Sequence, residues 1–137
     1  MDNFNYTLTV DALNDNLAQV IDFIDKILDD LNCTPKAQMQ IDLSAEEIFV
    51  NIANYAYGDK VGQAEICVET RDDEISLTFK DSGIPYNPLE KDDPDTALTA
   101  DERQIGGLGI FLVKKNMDDV LYEYKDNRNI LTLKKKI

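Results

Sequence analysis

The chain has 137 residues, 43% hydrophobic and 30% charged, the composition of one soluble globular domain, expected to span residues 1–137. Asp and Glu number 27 against 14 Lys and Arg, and the net charge of -13 argues against binding nucleic acid through a general electrostatic footprint. Histidine is absent, which excludes serine–histidine and cysteine–histidine catalysis and histidine-containing zinc sites. A catalyst built from this chain has to use carboxylates, lysines, backbone amides or a bound metal.

Neither the cysteines nor the hydropathy indicate an exported or membrane-bound protein. Cys33 and Cys67 lie far apart and form no CxxC pair, and the N-terminus lacks the basic region and apolar run of a signal peptide. No apolar stretch approaches the roughly 18 residues that span a bilayer. We therefore expect a soluble cytoplasmic protein, without membrane association, whose cysteines are free thiols.

The N-terminal part of the chain predicts one strand and two helices. Residues 5–9 have the composition of a short strand, and apolar residues then recur at spacings of three and four over residues 13–31, which is typical of an amphipathic helix. Thr34 and Pro35 supply an N-cap hydroxyl and a proline at the first helical position. A second helix is therefore expected from there to about Tyr57.

The rest of the chain predicts two hairpins, with a long polar segment and a short helix between them. Residues 64–79 alternate with a period of two around an Arg-Asp-Asp turn, and residues 120–133 alternate around an Asp-Asn turn. The segment 84–105 carries three prolines and many aspartates, and loops of this length in a compact domain are often lids. Glycines then open a predicted helix over residues 106–116.

The order of the predicted elements indicates the architecture. Helices and strands do not alternate singly, so a doubly wound parallel sheet is not expected. The order instead predicts an α/β (α+β) two-layer sandwich, in which a mixed, mostly antiparallel sheet carries the helices on one face.

One candidate site lies on the second predicted helix. Glu47, Asn51 and Tyr55 are spaced at i, i+4 and i+8, so an α-helix would project all three from one face. A carboxamide oxygen can bind a hard cation while a neighbouring carboxylate acts as a base. The same spacing is also common on solvent-exposed helix faces, so the pattern alone leaves both interpretations open.

Two further segments combine glycine with polar or anion-binding groups. Asp81 follows a predicted strand and precedes Gly83, which can place a carboxylate at the mouth of a pocket or can form an ordinary turn. The glycines of residues 106–109 lead directly into a helix, where backbone amides can converge on a phosphate or where the chain can simply hinge. The spacing matches neither the Rossmann fingerprint nor the P-loop.

Taken in order, these segments resemble the GHKL (Bergerat-fold) ATP-binding family. Glu47 and Asn51 resemble its N-box, Asp81-Ser82-Gly83 its first glycine box, and Gly107-Leu108-Gly109 its second. The runs LSAEE, DSGIPYNP and GGLGIFLVKKNMDDVLYEY are similar to those of the anti-sigma-factor serine/threonine kinases (RsbW-like). The similarity extends over nearly the whole chain.

The resemblance implies a role for each matching residue. Glu47 would be the general base, and Asn51 would hold Mg²⁺ against the phosphates of ATP. Asp81 would bind the adenine amino group, with Gly83 allowing a close turn against the base. The remaining expected nucleotide contacts come from Tyr55, Arg103, and the backbone amides of Gly107, Leu108 and Gly109.

The resemblance also implies a function and partners. The implied activity is that of a serine protein kinase that uses Mg-ATP to phosphorylate an anti-sigma-factor antagonist, sequesters a sigma factor and forms a homodimer. The alternative is a regulatory module that binds its partner under nucleotide control without kinase activity. The chain departs from the family at two places: Tyr55 replaces the usual histidine, and Arg128-Asn129-Ile130 stands in place of the Gly-Thr that often begins the last strand.

Overall fold

The structure is a computed structural model, and it describes residues 4–90 and 108–137. Its strands and helices, in chain order, are β1 (Phe4–Asp11), α1 (Leu17–Asp30), α2 (Pro35–Asn51), β2 (Gln63–Arg71), β3 (Glu74–Asp81), α3 (Leu108–Asn116), β4 (Asp119–Lys125) and β5 (Arg128–Lys136). A π-helical turn, Ile52–Ala56, continues α2, and short 3₁₀ turns lie at Asn14–Asn16 and Pro88–Glu90. The part of the predicted lid at 91–105 lies outside the described residues.

Local chemistry accounts for where several elements begin and turn. The hydroxyl of Thr34 accepts a hydrogen bond from the Ala37 amide at 3.2 Å and caps α2, with Pro35 in the first helical position as predicted. In the β4–β5 hairpin, Asp126 and Asn127 both have positive φ angles, 56° and 62°, which suits a tight turn between twisted strands.

The five strands form one sheet in the order β1-β2-β3-β5-β4. All four pairings among the described strands are antiparallel, so the predicted mostly antiparallel sheet is confirmed and no parallel pair is seen within residues 4–90 and 108–137. In this register Asp81, the last residue of β3, is paired with Asn129 near the start of β5. Two residues that are 48 positions apart therefore meet at one end of the sheet.

The core lies between one face of the sheet and the helices. Alternate residues of β2, β3 and β5 are buried, as the period of two predicts, and they pack with the apolar stripes of α1 and α2 into one cluster. The completely buried members of that cluster include Ile24, Leu28, Phe49, Ile66 and Leu77. The predicted two-layer α/β sandwich is confirmed.

A side chain from β5 caps the C-terminal end of α3. The Lys135 ammonium group donates to the Asn116 carbonyl at 2.8 Å and so satisfies the C-terminal end of α3. Cys33 and Cys67 are both free, as predicted. Within residues 4–90 and 108–137, no helix combines the length and the apolar character needed to cross a bilayer.

Candidate functional site

A cavity of about 360 Å³ opens at the end of the sheet where β3 and β5 meet the C-terminal end of α2. Its volume lies in the range of small-molecule sites. Its wall is mainly apolar and aromatic, with a few polar groups, as binding sites for aromatic ligands commonly are. The residues that line it are Ile48, Asn51, Ile52, Tyr55, Ala56, Phe79, Asp81, Ile84, Pro85, Tyr86, Pro88, Tyr122, Asn129 and Leu131.

The second helix does not continue as a regular α-helix to Tyr57. The α-helix ends at Asn51 and widens into the π turn Ile52–Ala56, a feature that is frequent at functional sites. The change of period interrupts the straight column that the spacing of Glu47, Asn51 and Tyr55 predicts. Asn51 and Tyr55 still line the cavity, and Tyr55 is 51% exposed at its rim.

Glu47 lies one helical turn before Asn51 and is half-buried. The Asn51 amide nitrogen donates to Glu47 Oε1 at 3.3 Å, so the predicted carboxylate–carboxamide pair forms. Burial raises the pKa of Glu47 above its ordinary value, while the hydrogen bond from Asn51 opposes the shift and the charge of Glu46 adds to it. Because the amide nitrogen of Asn51 faces Glu47, its oxygen remains available to a cation.

Gly109 brings the start of α3 against the same carboxylate. A β-carbon placed on Gly109 would overlap the Glu47 carboxyl group, so a larger residue at this point of contact would force the carboxyl group to move. The sequence predicted a backbone role in phosphate binding for Gly107, Leu108 and Gly109. Leu108 is the first residue of α3, whereas Gly107 and Arg103 lie outside the described residues.

Asp81 supplies a buried carboxylate to the cavity. It ends β3 and is only 5% exposed. Its Oδ1 accepts hydrogen bonds from the Gly83 amide and from the Asn129 side-chain nitrogen, both at 2.9 Å. Among the residues that the structure describes, no hydrogen bond ends on Oδ2. This oxygen is therefore available to an amino group of a bound ligand.

Gly83 makes a close contact, but with the protein. A β-carbon on Gly83 would overlap the Ala56 carbonyl group and lie 2.6 Å from its carbon atom, and the next amide, that of Ile84, donates to the Ala56 oxygen at 2.8 Å. The family resemblance implied a close turn against the base. In the structure, the lack of a side chain at Gly83 lets the loop after β3 dock on the π turn.

Three polar residues of this region were not among the predicted site residues. Asn129 and Tyr122 line the cavity, and the Tyr122 hydroxyl donates to the Asn129 carboxamide oxygen. The Tyr57 hydroxyl accepts from the Ser82 amide at 2.8 Å and donates to the Gln63 carbonyl. The sequence signals were indirect: Tyr122 lies within a run that is similar to the family, and Asn129 lies in the segment that stands in place of the family's Gly-Thr.

The free oxygen atoms of Asp81 and Asn51 suit a nucleotide with a magnesium ion. Asp81 offers an acceptor inside an apolar cavity, which suits a purine amino group. The described residues contain no group of three or more Asp, Glu, Cys or His side chains that could enclose a metal. A cation at Asn51 would take its other ligands from phosphate oxygens and water, which is the coordination Mg²⁺ commonly adopts beside nucleotides.

Comparison with known proteins agrees with this geometry. The family model of the histidine kinase-like ATPase domain matches residues 10–135. The serine/threonine-protein kinase BtrW of Bordetella bronchiseptica is 31% identical over 100 residues, which cover 72% of this chain and 70% of BtrW. The chain therefore belongs to the histidine kinase-like ATPase domain family, the GHKL family that its three motifs resemble.

Proposed function

We propose that this protein is a serine kinase that uses Mg-ATP to phosphorylate an anti-sigma-factor antagonist and that also sequesters a sigma factor. The observation that carries the proposal is the half-buried Glu47 carboxylate, which lies between Asn51 and Gly109. The proposed base, the proposed cation ligand and the start of α3 lie together beside a cavity in the size range of small-molecule sites. The similarity to a relative named as a serine/threonine-protein kinase supports this reading.

In this proposal the adenine ring occupies the apolar cavity. Its amino group donates to Asp81 Oδ2, while Ile52, Phe79 and Leu131 exclude water from the ring. Tyr55 and Tyr86, which are both about half exposed, cover the mouth of the cavity. The phosphates then extend past Asn51 toward the start of α3, where backbone amides and the helix dipole favour an anion.

In the proposed phosphoryl transfer, the protein has to accept one proton, that of the acceptor serine hydroxyl. The serine hydroxyl oxygen of the acceptor bonds to the γ-phosphorus, the bond from that phosphorus to the β,γ-bridging oxygen breaks, and ADP leaves with that electron pair. Glu47 takes the hydroxyl proton, and general-base catalysis of this kind contributes about 10²–10⁴-fold. The burial that raises the pKa of Glu47 makes it a stronger base than an exposed glutamate.

The acidic side chains of this protein cannot neutralise the negative charge of a bound triphosphate, so other groups have to do so. The chain carries 27 acidic residues against 14 basic ones, and the triphosphate adds further negative charge. Mg²⁺ held by Asn51 would supply electrostatic stabilisation of the phosphates. The remaining negative surface of the protein favours a basic face on its protein partner and speeds their encounter at low salt.

The test is a phosphotransfer assay with purified protein, Mg-ATP and a cognate antagonist domain, followed by identification of phosphoserine. Glu47→Ala should reduce transfer by about 10²–10⁴-fold and leave nucleotide binding in place. Glu46→Ala is the matched control, since Glu46 is the exposed neighbour on the same helix and should retain transfer.

Each other outcome identifies a different function. Undiminished transfer by Glu47→Ala would refute the role of Glu47 as the base. Intact ATP after long incubation with antagonist, while a sigma factor is still retained, would indicate a nucleotide-controlled binding module. Steady phosphate release without an acceptor would indicate an ATPase in which Glu47 activates water.

A further inference from the structure

We propose that Asn129 is a positioning residue that fixes the orientation of the Asp81 carboxylate and thereby sets the base selectivity of the cavity. The inference rests on the nucleotide binding described under Proposed function and goes beyond it, because Asn129 departs from the family pattern. It is built on hydrogen bonds between residues that are distant in the sequence and meet at the end of the sheet.

All the hydrogen-bonding capacity of the Asn129 carboxamide is used inside the protein. Its nitrogen donates to Asp81 Oδ1 at 2.9 Å and to the Ile84 carbonyl at 3.0 Å. Its oxygen accepts from the Tyr86 amide at 3.1 Å and from the Tyr122 hydroxyl. The residue is only 7% exposed, so these protein groups replace water as its partners.

The backbone partners fix which way the carboxamide points. The Tyr86 amide can only donate and the Ile84 carbonyl can only accept, so reversing the carboxamide would set donor against donor and acceptor against acceptor. The nitrogen of Asn129 must therefore face Asp81. Leaving buried polar groups without partners is costly, so the arrangement is held in one state.

The fixed carboxamide determines which oxygen of Asp81 is available. Oδ1 is held by two donors, the Asn129 nitrogen and the Gly83 amide. Oδ2 then remains as the acceptor for a ligand, held in a defined direction at the wall of the cavity. A carboxylate fixed in this way favours a base that presents an amino group and disfavours one that lacks a donor there.

Asn129 itself makes no hydrogen bond to the base in this arrangement. Both of its amide hydrogens and its oxygen are already used, so it acts on the ligand through Asp81. A threonine at this position would have a single hydroxyl hydrogen. It could not donate to Asp81 and to the Ile84 carbonyl at the same time.

The experiment compares two nucleotides that differ only at the group which Asp81 would recognise. Calorimetry measures the binding of Mg-ATP and of magnesium purine riboside triphosphate, which carries hydrogen in place of the 6-amino group. The wild-type protein should prefer ATP by about tenfold or more, because a site built to bond an amino group rejects an analogue without it.

Asn129→Leu keeps approximately the size of the side chain but removes its donor to Asp81 and Ile84 without adding a charge beside the Asp81 carboxylate. It should lose about tenfold or more in affinity for ATP and less than about twofold for the analogue, so that the preference nearly disappears. Tyr122→Phe removes only the hydroxyl that anchors the Asn129 oxygen, and it should reduce the preference several-fold. Tyr122→Phe tests the same idea if Asn129→Leu does not fold.

Thr132→Val is the matched control. Thr132 lies on the same strand but on the other face of the sheet, where its hydroxyl is 3.3 Å from that of Thr78, and its loss should leave the preference unchanged. Equal losses for both nucleotides in the Asn129 and Tyr122 variants, or an unchanged preference, would overturn the inference. Failure of the wild-type protein to bind Mg-ATP would instead overturn the proposed function, and the inference with it.

Discussion

Replacing Gly109 with alanine should abolish most of the catalytic activity without preventing nucleotide binding. The β-carbon of alanine would overlap the carboxyl group of Glu47 and lie 2.6 Å from Oε2, well inside normal contact. Since Gly109 lies in the backbone of α3, the carboxylate is the group that has to move. Alanine retains the backbone amide, so a phosphate contact made by that amide is kept.

The expected magnitude follows from the size of this displacement. Restoring an ordinary contact distance to the nearest carboxyl atoms moves the carboxylate by more than about one ångström, and a misplacement of about one ångström can already cost about 10²-fold in rate. The loss cannot exceed the contribution of the base itself, about 10²–10⁴-fold. The substitution should not unfold the protein, because alanine stabilises a helix relative to glycine by about 1 kcal/mol.

A double-mutant cycle separates this mechanism from a general disturbance of α3. Phosphotransfer is measured for Gly109→Ala, Glu47→Ala and the double variant, with Mg-ATP affinity measured in parallel. If the methyl group acts by displacing the carboxylate, Gly109→Ala should cost almost nothing once Glu47 is already alanine. The same cycle with exposed Glu46→Ala should be additive. Full additivity of Gly109→Ala with Glu47→Ala would refute the reasoning.

Two predictions concern stability. Burial and the neighbouring Asp25 and Asp29 raise the pKa of Asp42 from 3.8 to about 8, and its buried Oδ1 has no hydrogen-bond partner among the described residues. Since the folded state holds this proton more tightly than the unfolded state, the free energy of unfolding should fall as pH rises from about 4 to about 8. Asp42→Asn should remove that part of the pH dependence and raise the free energy of unfolding at pH 8 by about 1–2 kcal/mol, allowing for partial solvent screening. The free energy of unfolding is measured by urea titration at several pH values between about 4 and about 8. If it depends on pH in the same way in the variant and in the wild type, the prediction is wrong. Tyr57→Phe should lower the free energy of unfolding by about 1–2 kcal/mol, because the Ser82 amide and the Gln63 carbonyl both lose a partner. Exposed Tyr6→Phe should change it by less than about 0.5 kcal/mol, and an equal effect of the two substitutions would exclude a role for the Tyr57 hydrogen bonds.

Local patterns in the sequence were sufficient to predict most of the strands and helices, and the order of these elements then predicted the layered architecture. The apolar spacing of α1 and the period of two in β2 and β3 follow directly from burying one face of each element. The cap at Thr34 was predictable because a hydroxyl followed by proline is a local signal. These features depend on neighbouring residues, so one sequence suffices to predict them.

The π turn and the hydrogen bonds of Asn129 depend on distant residues. Nothing in the residues Ile52–Ala56 marks a change of period, since they contain neither proline nor glycine. The turn is held from outside, where the Ile84 amide donates to the Ala56 oxygen. Likewise, the role of Asn129 requires that β3 and β5 pair in register, which the chain order alone does not specify.

The π turn also determines how the two halves of the site are placed relative to each other. Asn51, beside Glu47, lies directly before the turn, and Ala56, on which Gly83 and the loop after Asp81 dock, ends it. Asn51, proposed as the cation ligand, and Ala56, on which the loop after Asp81 docks, are therefore separated by five positions of one continuous helical segment. The Asp81 carboxylate, at the opposite wall, is fixed by β3 and by its hydrogen bonds. An inserted or deleted residue in this turn would rotate Asn51 relative to Ala56 and to the loop after Asp81 that docks on it, so the proposed nucleotide site depends on the spacing of this turn as well as on the side chains themselves.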